Sequence, residues 1–301
     1  MLLSIARFSA KGWLQAALAA AATALSAMFV PLLFPAVWVS SACVAMPALR
    51  HGWLFGARVG VAAFVMVAGV LWLATGAYAP AVGMLAGVWL PVLLVAMVLR
   101  STVSLSSALL AAAGLGALVV LASYGLLGDP AAWWRTRLAG FAPEFEAWGI
   151  DAETADTMLA AMAQSLTLGL GMMVCIWTTL GLLLARAWQA GLYNPGGFGA
   201  AFRALRFGKT AALATAGLLV LGEAAAWPLL SALGWVLGVL VALQTLAVAH
   251  AVVHAGRLGS GWLIALYVLL VLGIPGIYPI AAFGMADNFV DVRRRWGGAS
   301  A

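Results

Sequence analysis

Residues 186–209 read Arg-Ala-Trp-Gln-Ala-Gly-Leu-Tyr-Asn-Pro-Gly-Gly-Phe-Gly-Ala-Ala-Phe-Arg-Ala-Leu-Arg-Phe-Gly-Lys. This is the longest basic interruption in a chain that is otherwise nearly continuous apolar sequence. It carries Arg186, Arg203, Arg206 and Lys209, four of the fifteen Lys and Arg residues, and no acid. Cations between apolar runs mark the cytoplasmic side of a membrane. The stretch therefore fixes one compartment, and the runs flanking it read as spans.

Composition agrees. Hydrophobic residues make up 65% of the 301 and charged residues 8%, whereas a soluble domain is about 45–50% apolar and about 25% charged. So few charges cannot clothe a water-soluble surface, which leaves a polytopic membrane protein, one integral domain over 1–301. The net charge of +6 is no sign of nucleic acid, because the cations are spread between apolar runs, where they report orientation and contact with anionic lipid. Cys43 and Cys175 lie inside apolar runs without CxxC spacing, the pattern of buried inert thiols rather than of a disulfide or a metal site. Arg7 and Lys11 precede an apolar run that simply continues, as in an uncleaved first span.

A span needs about 20 apolar residues. The runs that qualify are 12–30, 31–49, 56–77, 80–99, 105–127, 158–185, 210–230, 233–255 and 261–282. The expected fold is an all-α transmembrane helix bundle of about 8–10 membrane segments with a cytoplasmic N-terminus. Arg50, His51, Arg58, Arg100, His254 and Arg257 mark further inside turns. The segment 128–157 falls outside, an acidic loop holding Asp129, Glu144, Glu146, Asp151, Glu153 and Asp156 against Arg135 and Arg137, with Trp133, Trp134 and Trp148 at the outer interface. Nine crossings would leave the basic tail, 284–301 with Arg293-Arg294-Arg295, on the wrong side. The run Gly273-Ile-Pro-Gly-Ile-Tyr-Pro279 cannot form an unkinked helix. Two short helices, about 262–272 and 279–293, would return the tail to the cytoplasm. The alternative is one crossing plus a re-entrant piece within 12–49.

Few residues can carry chemistry. Glu223 is the acid that falls well inside a span, where a carboxylate faces a partner or a water-filled cavity. Gln244, on the next and oppositely directed span, is expected at the same depth, and the two form a candidate substrate-binding pair with His250 nearby. His250 and His254 share a helix face but have no third ligand close in sequence, so no metal is expected. Asn194-Pro-Gly-Gly197 is a turn. A short amphipathic helix over 198–208 should follow, and the Gly196 and Gly197 N–H groups with Arg203, Arg206 and Lys209 are a candidate lipid or anion site. Asp287 and Asp291, four apart, are expected in a structural ion pair with Arg294 and Arg295. Glycines four apart at 52, 56 and 60, at 83 and 87, and at 234 and 238 read as helix-packing rows. No P-loop, HExxH, GxSxG, CxxC or dinucleotide fingerprint occurs, so neither enzymatic chemistry nor a cofactor is expected.

Three stretches resemble the YybS-like family of bacterial membrane proteins of unassigned function: Leu99-Arg-Ser-Thr-Val-Ser104, Leu184-Ala-Arg-Ala-Trp-Gln-Ala-Gly-Leu-Tyr-Asn-Pro-Gly-Gly-Phe198 and Gly284-Met-Ala-Asp-Asn-Phe-Val-Asp-Val-Arg293. Val292 stands where that family commonly has an aromatic, and the first 50 residues match only in hydropathy. The family is distantly similar to the substrate-binding S components of energy-coupling-factor transporters. The resemblance implies a bacterial inner-membrane subunit that binds a small molecule and docks on an energy-coupling ATPase module through an Ala-xxx-Ala row, here Ala16, Ala20 and Ala24. The competing expectation is a non-transporting factor that uses the basic stretch and tail to dock or assemble other proteins. A polar cavity around Glu223 would favour the first, a packed bundle the second.

Overall fold

Backbone in hydrocarbon must satisfy its own hydrogen bonds, so long apolar runs become helices. The structure, a computed structural model, describes residues 2–271 and 274–296, and these are helical with no strand among them. In chain order the helices are α1 (Leu2–Ser9), α2 (Trp13–Phe29), α3 (Ala36–His51), α4 (Trp53–Thr75), α5 (Ala79–Met84), α6 (Leu90–Thr102), α7 (Leu105–Leu127), α8 (Pro130–Leu138), α9 (Ala142–Ala147), α10 (Ala152–Tyr193), α11 (Gly197–Arg203), α12 (Gly208–Ala224), α13 (Pro228–His254), α14 (Gly261–Val271), α15 (Ile274–Val290) and α16 (Val292–Trp296). Five helical segments are long and apolar enough to cross a membrane: α4, the continuous run from α5 through α6, α7, α10 and α13. The bent pair α11 and α12, 57° apart, makes a sixth if taken together. The chain is thus a multi-pass helical membrane protein. The other apolar helices are shorter than the 8–10 expected segments require, with 17 residues in α2, 16 in α3, 11 in α14 and 17 in α15.

α3 is the centre of the first half. Eleven of its sixteen residues are buried, packed on α2, α4, α6 and α10. Small side chains make this possible: Gly181 of α10 lies so close to Ser41 that a Cβ there would overlap it. Ser40 Oγ donates to the Ala20 carbonyl at 2.7 Å and accepts from Trp89 Nε1 at 3.0 Å. Trp89 ends a π-helical turn, Leu85–Trp89, between α5 and α6. Pro91 follows and has no N–H to donate, which loosens the ladder there and lets the turn widen. The row Ala16, Ala20 and Ala24 is fully buried within this half, because α2 packs on α3 and α4. It therefore offers no exposed surface to a partner, contrary to what the resemblance implied.

α10 corrects two boundaries. Its 42 residues run about 63 Å at 1.5 Å per residue. The helix takes in the end of the expected acidic loop and the first eight residues of the expected basic loop. Asp151 caps its start, accepting from Thr154 N at 2.9 Å and Thr154 Oγ1 at 2.7 Å. The rest of 128–157 is largely helical as well: α8 lies along α10, joined by Trp134 Nε1 donating to Thr167 Oγ1 at 3.1 Å and by Arg135 to Asp156 at 2.7 Å.

In the second half α12 and α13 form a hairpin, α15 packs on both, and α14 closes against α13 and α15. α14 ends at Val271, as the expected break requires, but α15 begins at Ile274 and carries Pro279 inside it. The residues between, 272–273, and the end of the expected tail, 297–301, lie outside the described residues.

Candidate functional site

Gln244, Asp287 and Asn288, all buried, converge where the start of α12, the middle of α13 and the end of α15 meet. Gly284 permits the approach: the Val241 carbonyl and Thr245 Oγ1 of α13 occupy the place a Cβ would take. One turn further, Asp287 is 1% exposed. A buried carboxylate is stable only with its oxygens satisfied, and Asp287 meets that condition. Oδ2 accepts from Gln244 Nε2 at 2.9 Å and from Arg293 Nη2 at 3.2 Å, and Oδ1 accepts from Val292 N at 3.1 Å.

The other half of each amide is used too. Gln244, fully buried, accepts from Phe207 N at 3.1 Å through Oε1. Asn288 Oδ1 accepts from Gly208 N at 3.0 Å. Phe207 and Gly208 begin α12, where N–H groups have no helical partner, so two buried amides from α13 and α15 cap it. Asp291 has φ +51, a left-handed conformation that Asp tolerates. It ends α15 and turns the chain so that Arg293 folds back. Arg293 Nη1 then donates to the Arg203 carbonyl at 2.9 Å and Nη2 to the Leu205 carbonyl at 2.5 Å. Arg206 returns the link, pairing with Asp291 at 3.2 Å and donating to the Asp287 carbonyl at 3.1 Å. Burial pulls the Arg293 guanidinium below its ordinary value, against the opposing pull of Asp287. For Asp291 burial pushes upward, but Arg206 and the Arg294 amide outweigh it and hold the carboxyl below its ordinary value.

The predicted residues divide accordingly. Gln244 and Asp287 belong to this network, but Glu223 does not meet Gln244. Gly222 packs on Ser231 and Gly234 on Leu219, which sets Glu223 opposite about residue 230. Gln244 lies fourteen residues beyond, about 20 Å away. Glu223 is exposed one residue before α12 ends, because that helix stops at Ala224 rather than continuing to 230. Glu223 lines neither of the two pockets described below. The ion pairs are also redrawn: Asp287 pairs with Arg293 and Asp291 with Arg206, and Arg294 meets the Asp291 carboxylate through its amide, at 3.4 Å.

His250 Nδ1 faces the Leu246 carbonyl at 2.8 Å and Nε2 faces the Tyr267 hydroxyl at 3.4 Å, so both ring nitrogens are occupied by the helix and its neighbour. The candidate anion site at the turn is partly spent. Gly197 N donates to the Asn194 carbonyl at 3.1 Å, Gly196 supplies the left-handed turn at φ +85, and α11 spans only 7 residues instead of running to 208. Arg206 is held by the tail, Lys209 lies 6.0 Å from the Phe289 ring, and Arg203 remains half-exposed.

Sequence reasoning missed Arg206, Asn288 and Arg293 as members of one network. It also missed a cleft of about 640 Å³ between α13, α14 and α15. Val248, Val252, Trp262, Leu266 and Phe283 line it and Arg295 stands at its rim. The uninterrupted apolar stretches that make the cleft give no signal distinguishing a hollow from a contact.

Comparison with protein-family models, with curated proteins and with solved structures finds no match for this chain.

Proposed function

We propose that this protein is a bacterial inner-membrane subunit that binds a small amphipathic molecule for transport, in the cleft between α13, α14 and α15. The observation that carries this reading is the cleft's chemistry. Its volume of about 640 Å³ falls in the range of about 300–1,000 Å³ usual for small-molecule sites. Its lining is apolar, with no carboxylate, and the one cation that reaches it, Arg295, forms no ion pair among the described residues. An apolar body with an anionic end fits that pattern. Thr245 joins the cleft lining to the Gln244–Asp287 network, so the network serves as the cleft's rigid support rather than as the binding carboxylate. The positive-inside rule supports an orientation with Arg50, Arg100, Arg206 and Arg293 in the cytoplasm. The YybS-like resemblance supports the transport role. An energy-coupling ATPase module, if it is the partner, docks elsewhere than on Ala16, Ala20 and Ala24.

The docking-factor alternative is weaker because Arg206 and Arg293 hold the basic stretch and the tail to each other instead of presenting them outward. The test is binding of a fluorescent long-chain carboxylate to the protein in nanodiscs. Saturable binding, lost in Leu266→Trp and weakened about tenfold in Arg295→Gln, is the expected result. Unsaturable partitioning, unchanged by Leu266→Trp, would remove the reading.

A further inference from the structure

A second pocket, of about 280 Å³, lies at the other side of the bundle, where α1, the start of α2, the end of α3 and the end of α10 meet. Lys11, Gly12, Arg50, His51, Phe55 and Tyr193 are among its walls. Three of these side chains are basic or protonatable, all three are exposed, and no carboxylate lines the pocket. The nine acids of the chain lie at 129–156, 223, 287 and 291.

Basic residues in the last turn of a helix ordinarily serve its free carbonyls. Here that role is filled by another residue. Arg100 Nη1 donates to the Leu49 and Arg50 carbonyls at 2.7 and 2.9 Å, so Arg50 and His51 are not needed to cap α3. Arg50 is instead held in place at the pocket wall. Its guanidinium lies 4.1 Å from the centre of the Tyr193 ring and bonds the Tyr193 hydroxyl, which leaves further N–H donors of its five unspent. Another wall is the turn between α1 and α2, where Ser9, Ala10, Lys11 and Gly12 line the pocket.

We propose that this pocket binds a phosphate group. Arg50 and Lys11 supply charge and N–H donors, and the Arg50–Tyr193 stack fixes the geometry. The pocket's size suits a phosphate with a small ester substituent rather than a nucleotide. The phosphate comes either from an anionic phospholipid headgroup or from a free phosphate ester. The site is separate from the amphipathic cleft and stands or falls independently of it.

Native mass spectrometry of the full chain released from neutral detergent tests the proposal, with dioleoyl phosphatidylglycerol in one arm and inorganic phosphate with glycerol phosphate in the other. Dioleoyl phosphatidylcholine is the control. The expected result is retention of one phosphate-bearing molecule, weakened about fivefold in Lys11→Gln and again in His51→Gln, and unchanged in Arg257→Gln, an exposed cation elsewhere. Retention of phosphatidylglycerol alone assigns a headgroup, and retention of the soluble esters assigns a free ligand. Equal loss in Arg257→Gln, or equal retention of phosphatidylcholine, overturns the site. Should Lys11→Gln unfold, His51→Gln carries the comparison alone.

Discussion

Asp287 in α15 and Asp291 just past its end are four residues apart, yet they are held in very different ways. Asp287 is 1% exposed and its partner Arg293 17% exposed. The pair Asp291–Arg206 is 39% exposed on each side. Removing one member of a buried pair leaves an unpaired charge and costs about 3 kcal/mol or more, while an exposed pair contributes under about 1 kcal/mol. Asp287→Ala should therefore lower the unfolding midpoint in detergent far more than Asp291→Asn, and chemical denaturation of the two variants checks it. The sequence showed that Asp287 is hard to leave in solvent, since its neighbours are apolar. It could not show the partners, because Arg206 and Gln244 are 81 and 43 residues away along the chain and nothing in their local patterns points to them.

At the scale of helices, close contacts decide which glycines matter. The spacing-by-four rows flagged in the sequence are only partly packing features. A Cβ on Gly56 would meet Ala48 and Leu93 at 2.6 Å, but Gly83 and Gly87 face open space. Gly284, which belongs to no such row, is where α15 touches α13. Gly83→Ala should be neutral or slightly stabilising through helix propensity, whereas Gly284→Ala should force α15 from α13 and cost several kcal/mol. Thermal unfolding of the two variants side by side tests this. Spacing failed as a guide because small residues recur through most of the long helices, and contact depends on the partner's backbone.

The start of α10 offers a pH test. Hydrogen bonds from Thr154 hold the Asp151 carboxyl below its ordinary 3.8. A depressed carboxylate stabilises the helix start fully above that ordinary value and loses the effect as pH falls through its own lower one. Exchange of the Thr154 amide, which donates to Asp151, should therefore stay protected at pH 5 and open in strong acid, and in Asp151→Ala it should already be open at pH 5.

For the molecule as a whole, the apolar runs were readable because hydrocarbon leaves helices as nearly the only choice. The failures came at helix ends, where hydropathy changes gradually: α12 stops earlier than its apolar run, and α10 continues well past its own at both ends. Direction can be checked with cysteines, since Cys43 and Cys175 are buried and should give little background. In intact cells an impermeant maleimide should label Trp148→Cys, and should label Arg257→Cys only after the membrane is opened. The reverse pattern would invert the proposed orientation.

α10 is longer than a bilayer is thick, about 63 Å against about 40–45 Å with headgroups. One rigid shaft thus joins the Asp151 cap to Tyr193 at the wall of the phosphate pocket, with α8 bracing its far end. A helix this long meets bilayers of different thickness chiefly by tilting, so the membrane sets the positions of the Asp151 cap and Tyr193 together.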